Sequence, residues 1–401
     1  MGQSSANYTF ATNATGSLAL DLNGNTVDMT TGTAQVSGPS TDQGVSASAI
    51  NIGFDLWMMG NRYTQFNVTT NGLVSLSATG TSATGSTYVV SGGTVTTPII
   101  SAFAADLGTG TSGKTHYKMV GSAPNRCLVI EFKNMTLLWT SSYTNDGTYQ
   151  VRLYETTGVI EFVYGSMSIT STASASDLTV GIGFATNTTT NNLAWITSSS
   201  NANSYTASFT DNPTYATGPI TNLNSPSDGT RRVYRYTAPG SAGHATITSL
   251  ATPTGPLSFT SVTATGMTVN WAAASPTTGI VKYAVYNSTD GGTTYNFVNT
   301  TNLGTHSLAV TGLTPGITYT WKVVSVSEGS LSSGITGTQA TSSAATYYWV
   351  GASGADWNTA ASWNTAADNT GSQRTGPATT DILIIDGMAT TPGLAGTISP
   401  S

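Results

Sequence analysis

The chain has 401 residues, a formal net charge of −6 and a pI near 4.8, and only 7% of its residues are Asp, Glu, Lys or Arg. A phosphate-binding surface needs clustered Lys and Arg, so this balance argues against nucleic acid as a partner. One cysteine, Cys127, excludes an intrachain disulfide, and no apolar run approaches the roughly 20 residues that would span a bilayer.

The length allows two or three domains, and 38% hydrophobic residues suffice for packed cores. Gly, Ser, Thr and Asn stand where charged residues usually would, a mix that reads as all-β and extracellular. Cys127, in the apolar run NRCLVIEF, is expected to be a buried small hydrophobe. No signal peptide is visible after MGQSS, so export is expected to rest on a signal outside this sequence. Windows with apolar residues at i, i+3, i+4 and i+7 are almost absent; short runs rich in Val, Ile, Thr, Tyr and Phe alternate with Gly, Asn, Ser and Pro.

The first strong signal is NIGFDLWMMGNRYTQFNVTTNGLVSL, residues 51–76. On an extended strand Ile52, Phe54, Leu56 and Met58 share one face, while Asp55 and Trp57 share the other. A three-residue loop at Gly60-Asn61-Arg62 would pair Leu56 with Phe66 and keep the core residues on one side. A two-residue loop would turn Phe66 outward. At Thr70-Asn71-Gly72 the same logic pairs Val68 with Val74, with Gly72 taking a left-handed conformation. Asp55, Trp57, Tyr63, Gln65 and Asn67 then lie on the opposite face, where Trp57 and Tyr63 are either cross-strand packing or a sugar-stacking platform.

Further along, two loops carry oxygen ligands: DLGTGTSG (106–113) and SSYTNDGTY (141–149). Calcium would take carboxylate, amide and carbonyl oxygens there, with Asp106, Asn145 and Asp146 as candidates, although Asn-Asp-Gly is also an ordinary turn signature. Trp139 and Tyr143 flank the second loop and make it the preferred sugar-contact region. His116, in KTHYKMV, alternates like a surface strand residue. CLVIEF (127–132), TYQVRLYET (148–156), GVIEFVYG (158–165) and LTVGIGFA (178–185) read as strands, with a hairpin around Thr156-Thr157-Gly158. Arg231, Arg232 and Arg235 read as solvated arginines of an edge strand.

Composition shifts at 237–256 and 336–349 divide the chain into 1–238, a linker at 239–252, 253–343, and 344–401. The last part has no closing strands and reads as a truncated third β-rich domain.

Catalytic signals are thin. His116, His244 and His306 are far apart in sequence, with no zinc spacing and no Gly-x-Ser-x-Gly elbow. Glu155 and Glu161 flank one turn as a candidate carboxylate pair, but the convergent pocket groups a glycosidase needs are not visible. No enzyme activity is expected.

Four resemblances add to this reading. The 51–76 stretch, with its Gly-Phe start, Gly-x-x-Tyr and Asn-Gly-x-x-x-Leu, resembles nidogen-like domains. With NYTFATNATGSLALDLNGNTVDM, ISAFAADL, NDGTYQVRLYETTGVIEFVYGSM and TRRVYRY, residues 7–238 resemble the N-terminal jelly-roll-like β-sandwich of Bacteroidetes modular surface proteins. That resemblance implies export by the type IX route and a surface role. MTVNW, KYAVYNSTDGG and LTPGITYTWKVVSV resemble a fibronectin type III domain, with Trp271 buried and Leu313, Pro315 and Tyr319 at the spacing of a tyrosine corner. Ile317 stands where that family often has Thr, and no Arg-Gly-Asp is present. The tail, with paired Trp-Asn at Trp357 and Trp363, resembles bacterial surface segments leading into a β-solenoid or sandwich.

The expectation is a secreted or cell-surface adhesion protein, non-catalytic, binding a polysaccharide or surface glycan. The alternatives are accessory modules of a secreted polysaccharide hydrolase and a structural spacer or filament subunit.

Overall fold

The computed structural model describes residues 8–13, 16–58, 60–77, 98–104, 106–137, 139, 142–167, 181–187, 192–197, 206–210, 233–237, 250–327, 329–351, 355–356, 358–375 and 381–385. Among them there is no α-helix. The chain divides into two compact units, one of Met1–Thr252 with Ser275–Lys282 and Ser325–Ser333, the other of Pro253–Ala274, Tyr283–Val324 and Gly334–Ser401.

The first unit contains β1 (Thr9–Asn13), β2 (Ala34–Ser37), β3 (Ile50–Met58), β4 (Asn61–Val68), β5 (Leu73–Ser75), β6 (Ile99–Ala104), β7 (Gly108–Val120), β8 (Cys127–Thr136), β9 (Gly147–Tyr154), β10 (Ile160–Met167), β11 (Gly181–Asn187), β12 (Asn192–Thr197), β13 (Thr206–Thr210) and β14 (Val233–Thr237). They form two seven-stranded antiparallel sheets, ordered β1-β14-β10-β9-β8-β7-β2 and β13-β12-β11-β6-β5-β4-β3. Neighbouring strands are mostly consecutive in the chain, so the sandwich is built from meanders closed by β1 and β14.

Alternation explains the core. Leu128, Ile130 and Phe132 of β8, Tyr149, Val151 and Leu153 of β9, and Ile160, Phe162 and Tyr164 of β10 all point inward. They meet Ile52, Phe54, Leu56 and Met58 from β3 and Phe66 and Val68 from β4. Tyrosines tie the two sheets. Tyr149 donates its hydroxyl to the Phe103 carbonyl of β6 at 3.0 Å, and burial pushes its acidity well down by raising the pKa. Tyr164 does the same to Ala102. Tyr234 and Tyr236 of β14 pack edge-on against Tyr164 and Phe162, at 5.6 and 5.5 Å. β14 lies between β1 and β10, which corrects its reading as an edge strand.

The 51–76 stretch is a meander with one register change. Val68 pairs with Val74 around Thr70-Asn71-Gly72 as expected, and Gly72 has φ +81°. At the first turn, however, Met58 pairs with Asn61, so the loop has two residues and not three. The register then shifts between Asn51 and Leu56, restoring Ile50 opposite Phe66. A β-bulge around Gly53, at φ +92°, absorbs the parity conflict that seemed to demand a longer loop. The two-residue turn puts Tyr63 opposite Leu56, where it packs against the core rather than on the Trp57 face.

After residue 252 the chain continues with β15 (Thr254–Thr260), β16 (Gly266–Ala272), β17 (Lys282–Ser288), β18 (Asn296–Asn302), β19 (Ser307–Thr311), β20 (Thr318–Val326) and β21 (Ile335–Ala340). These make a three-stranded sheet, β15-β16-β19, and a four-stranded sheet, β18-β17-β20-β21. Trp271 is 6% exposed and packs edge-on against buried Tyr283 at 5.8 Å. The tyrosine corner forms as its spacing implied: the Thr314 N–H donates to the Tyr319 phenol oxygen at 2.9 Å. A further small sheet contains β22 (Thr346–Trp349), β23 (Trp363–Asn364) and β24 (Ile382–Ile384), with Trp349 and Trp363 in edge contact at 5.2 Å. Trp357 lies outside the described residues, as do Arg231, Arg232, His244 and most of the proposed linker.

Candidate functional site

The outer face of the first sheet carries a buried polar row. Antiparallel pairing sets His116 opposite Glu131, Glu131 opposite Gln150, Arg152 opposite Glu161, and Glu161 opposite Arg235. His116 Nε2 lies 2.9 Å from Glu131 Oε1, and Gln150 donates to Glu131 Oε2 at 2.7 Å. Arg152 donates to Gln150 Oε1 at 2.7 Å, and Arg235 pairs with Glu161 at 2.7 Å. Residues 17–31 cross this face as a strap. Arg152 donates to the carbonyls of Ser17, Leu18 and Leu20, and Lys118 to those of Asp28 and Thr31. Val27 and Met29 of the strap cover Cys127, Val129 and Tyr154. His116 is therefore 0% exposed, which corrects its assignment to the surface. Alternation placed it on the outer face; the strap, whose Asp28 carbonyl holds neighbouring Lys118 across 90 residues of sequence, crosses that face.

This row is scaffold. Each carboxylate is consumed by a cation or a hydrogen bond to the fold. The candidate pair Glu155 and Glu161 does not converge: Glu155 binds Arg126 at 2.7 Å, while Glu161 binds Arg235 and the Tyr154 hydroxyl.

The loop end of β7 has a different character. Trp139 and Tyr143 are brought together, with ring centroids 4.2 Å apart and planes tilted by 40°. Both are half-buried. They rest on Gly108, where a Cβ would meet the Tyr143 ring at 3.2 Å and the Trp139 ring at 3.5 Å. The Trp139 N–H donates to the Asp106 carbonyl at 2.9 Å, anchoring the pair to the start of β7. Asp42 bridges to Gly108 from the other side, and its Oδ1 is buried with no hydrogen-bond partner. Burial first, and the Asp42 carboxylate second, raise the Asp106 pKa above its ordinary value. Two carboxylates thus stand beside an aromatic pair. Asp42 was missed in the sequence because nothing in GPSTDQG distinguishes it from a turn residue.

The other predicted residues are placed elsewhere. Trp57 is 2% exposed, so its ring offers no platform; Tyr63 packs on the core, and desolvation raises its phenol pKa. Asp55 pairs with Arg62 at 2.7 Å. Asn145 accepts from the Ser112 N–H and hydroxyl at 3.2 Å and donates to Thr111 at 2.9 Å. Asp146 is 3% exposed and holds the Leu137 N–H at 3.2 Å and the Thr144 hydroxyl. These two oxygens close a loop, while Asp106 is associated with Asp42. Among the described residues no group of three or more His, Cys, Asp or Glu is arranged to hold a metal ion.

An all-β modular architecture defines the class, and the comparisons give the family. The NIDO-related family profile matches residues 8–238, more than half the chain, and the fibronectin type III profile matches residues 251–338. The chain belongs to the NIDO-related family. Its two modules are typical of extracellular proteins, and no described helix is long and apolar enough to cross a membrane. No curated protein matches the chain. Among solved structures, a fibronectin type III domain of human collagen XX is 23% identical, over 25% of this chain and 100% of that one, with a TM-score of 0.21. A redesigned β-sandwich protein is 23% identical over 23% of this chain and 90% of its own, with a TM-score of 0.20. A structure of titin kinase and its flanking domains is 17% identical over 23% of this chain and 17% of its own, with a TM-score of 0.21.

Proposed function

We propose that the chain is a cell-surface adhesion protein that binds neutral glycans through the Trp139–Tyr143 pair. The observation that carries this reading is that pair itself, half-buried and stacked over a residue without a side chain. An aromatic face takes the C–H face of a pyranose ring, and a rigid ring loses little entropy in doing so. The half-buried Asp106 carboxylate supplies an acceptor near it for a sugar hydroxyl. The NIDO-related and fibronectin modules in series support display outside the cell.

The test is a glycan array followed by titration of the best ligand. Trp139→Ala is expected to weaken binding by about 1–3 kcal/mol, the scale of one stacked aromatic contact plus its buried area. Trp57→Phe, a change inside the core, is expected to leave affinity unchanged. Absence of binding to every glycan would sink the reading in favour of a structural spacer. Hydrolysis of a bound polysaccharide would favour the hydrolase alternative.

A further inference from the structure

Lys114 of β7 and Lys133 of β8 are directly opposed in the ladder. Residues opposed in an antiparallel pair share a face, with Cβ atoms about 4.5–5.5 Å apart, and like charges in that position repel. The chain has only 12 Lys and Arg in all. Every described arginine is ion-paired, and Lys118 donates to two carbonyls. Lys114 and Lys133 are half-buried and have neither an ion pair nor a hydrogen bond among the described residues. The acid two residues along β8, Glu131, is not available to them, since its oxygens are engaged by His116 and Gln150.

The backbone concentrates donors around this pair. β7 shifts register between Thr109 and Lys114, pushing out the Gly110–Gly113 segment with exposed Thr111 and Ser112. β8 shifts against β9 between Phe132 and Met135, with Asn134 at φ +49°. Bulges of this kind re-aim side chains and terminate regular pairing. The Asn134 amide donates to Ser112 Oγ at 2.9 Å, which ties the two bulges together beside the lysines.

We propose that Lys114 and Lys133 form a binding site for an oxyanion carried on an acidic polysaccharide. Two ammonium groups without ion pairs on one sheet face supply the charge, and the exposed Thr111 hydroxyl, which accepts from Asn145, keeps its own proton to donate to an anionic oxygen. The oxyanion is a sulfate ester or a uronate carboxylate; both present the same acceptor chemistry. The site stands on different residues from the aromatic pair and does not depend on it.

The experiment titrates the full chain with dextran sulfate, polygalacturonate and neutral dextran at several salt concentrations. Wild type is expected to bind at least one polyanion and to prefer it to neutral dextran. A response to dextran sulfate alone identifies a sulfate site, and one to polygalacturonate alone a carboxylate site. Lys114→Gln/Lys133→Gln is expected to weaken that binding at least tenfold and to lower the slope of log affinity against log salt by roughly 1 per lysine. Lys114→Arg/Lys133→Arg keeps the charge and is expected to bind within threefold of wild type. Lys282→Gln controls for net charge and should change little. The urea midpoint of the Gln variant should equal or exceed that of wild type, since no bond is removed. Equal affinity in wild type and the Gln variant, or no polyanion binding by wild type, overturns the proposal. Loss of neutral-glycan binding in Trp139→Ala with polyanion binding retained would separate the two sites.

Discussion

Gly72 shows what one residue settles. Its φ of +81° lies in the left-handed region, and a Cβ there would overlap the Phe103 carbonyl oxygen and approach the Tyr149 hydroxyl to 2.9 Å. Gly72→Ala is therefore expected to cost about 2–3 kcal/mol, from backbone strain together with displacement of the tyrosine tie between the sheets; urea unfolding reads it directly. Asp106 is a residue the fold tolerates at a cost. Its pKa is raised in the folded state, so the folded form holds its proton more tightly than the unfolded one, and stability falls as pH rises through that range. Asp106→Asn is expected to stabilise the protein at pH 7, with the gain disappearing below about pH 3.8, where both states are protonated. Gly72 was legible in the sequence because its turn demanded a residue without a Cβ. His116 was not, because alternation distinguishes two faces of a strand and says nothing about what covers either one.

At the scale of elements, the strap over residues 17–31 depends on side chains that recognise its main chain. Removing Arg152 leaves Glu161 short of a cation and three strap carbonyls without their donor. Arg152→Ala is expected to lose about 3–5 kcal/mol, the cost of breaking a buried pair from one side, measured by denaturant unfolding. In the fibronectin sandwich, Tyr319→Phe strips the Thr314 N–H of its acceptor and is expected to cost about 1–2 kcal/mol. That corner was readable from Leu313, Pro315 and Tyr319, since its geometry is local. The β3–β4 register was not. Parity assumes an unbroken ladder, and the bulge at Gly53 changes the count without changing which residues are apolar. The inward set Ile52, Phe54, Leu56 and Met58 was still correct, because burial follows the face and not the partner.

For the whole molecule, stability rests on noncovalent contacts. Cys127, the single cysteine, is 0% exposed, and burial raises its thiol pKa, so no covalent link holds the sheets. Reductant is expected to leave the melting temperature unchanged, and an aromatic disulfide reagent should react with the thiol only as the protein unfolds. The modular character was legible in composition and motifs. The aromatic pair was legible as a region, because Trp139 and Tyr143 lie close in sequence; its acidic neighbour Asp42 reaches it only through the folded sheet.

The pairing of β1 with β14 sets a schedule for the chain. Residues 9–13 are synthesised well before their partner, residues 233–237, which also complete the flank of β10. A chain that emerges N-terminus first holds β1 without this partner until residues 233–237 have followed. Contacts so distant in sequence form late and slowly. The first sandwich therefore gains the β1–β14 pairing only after its last strand arrives.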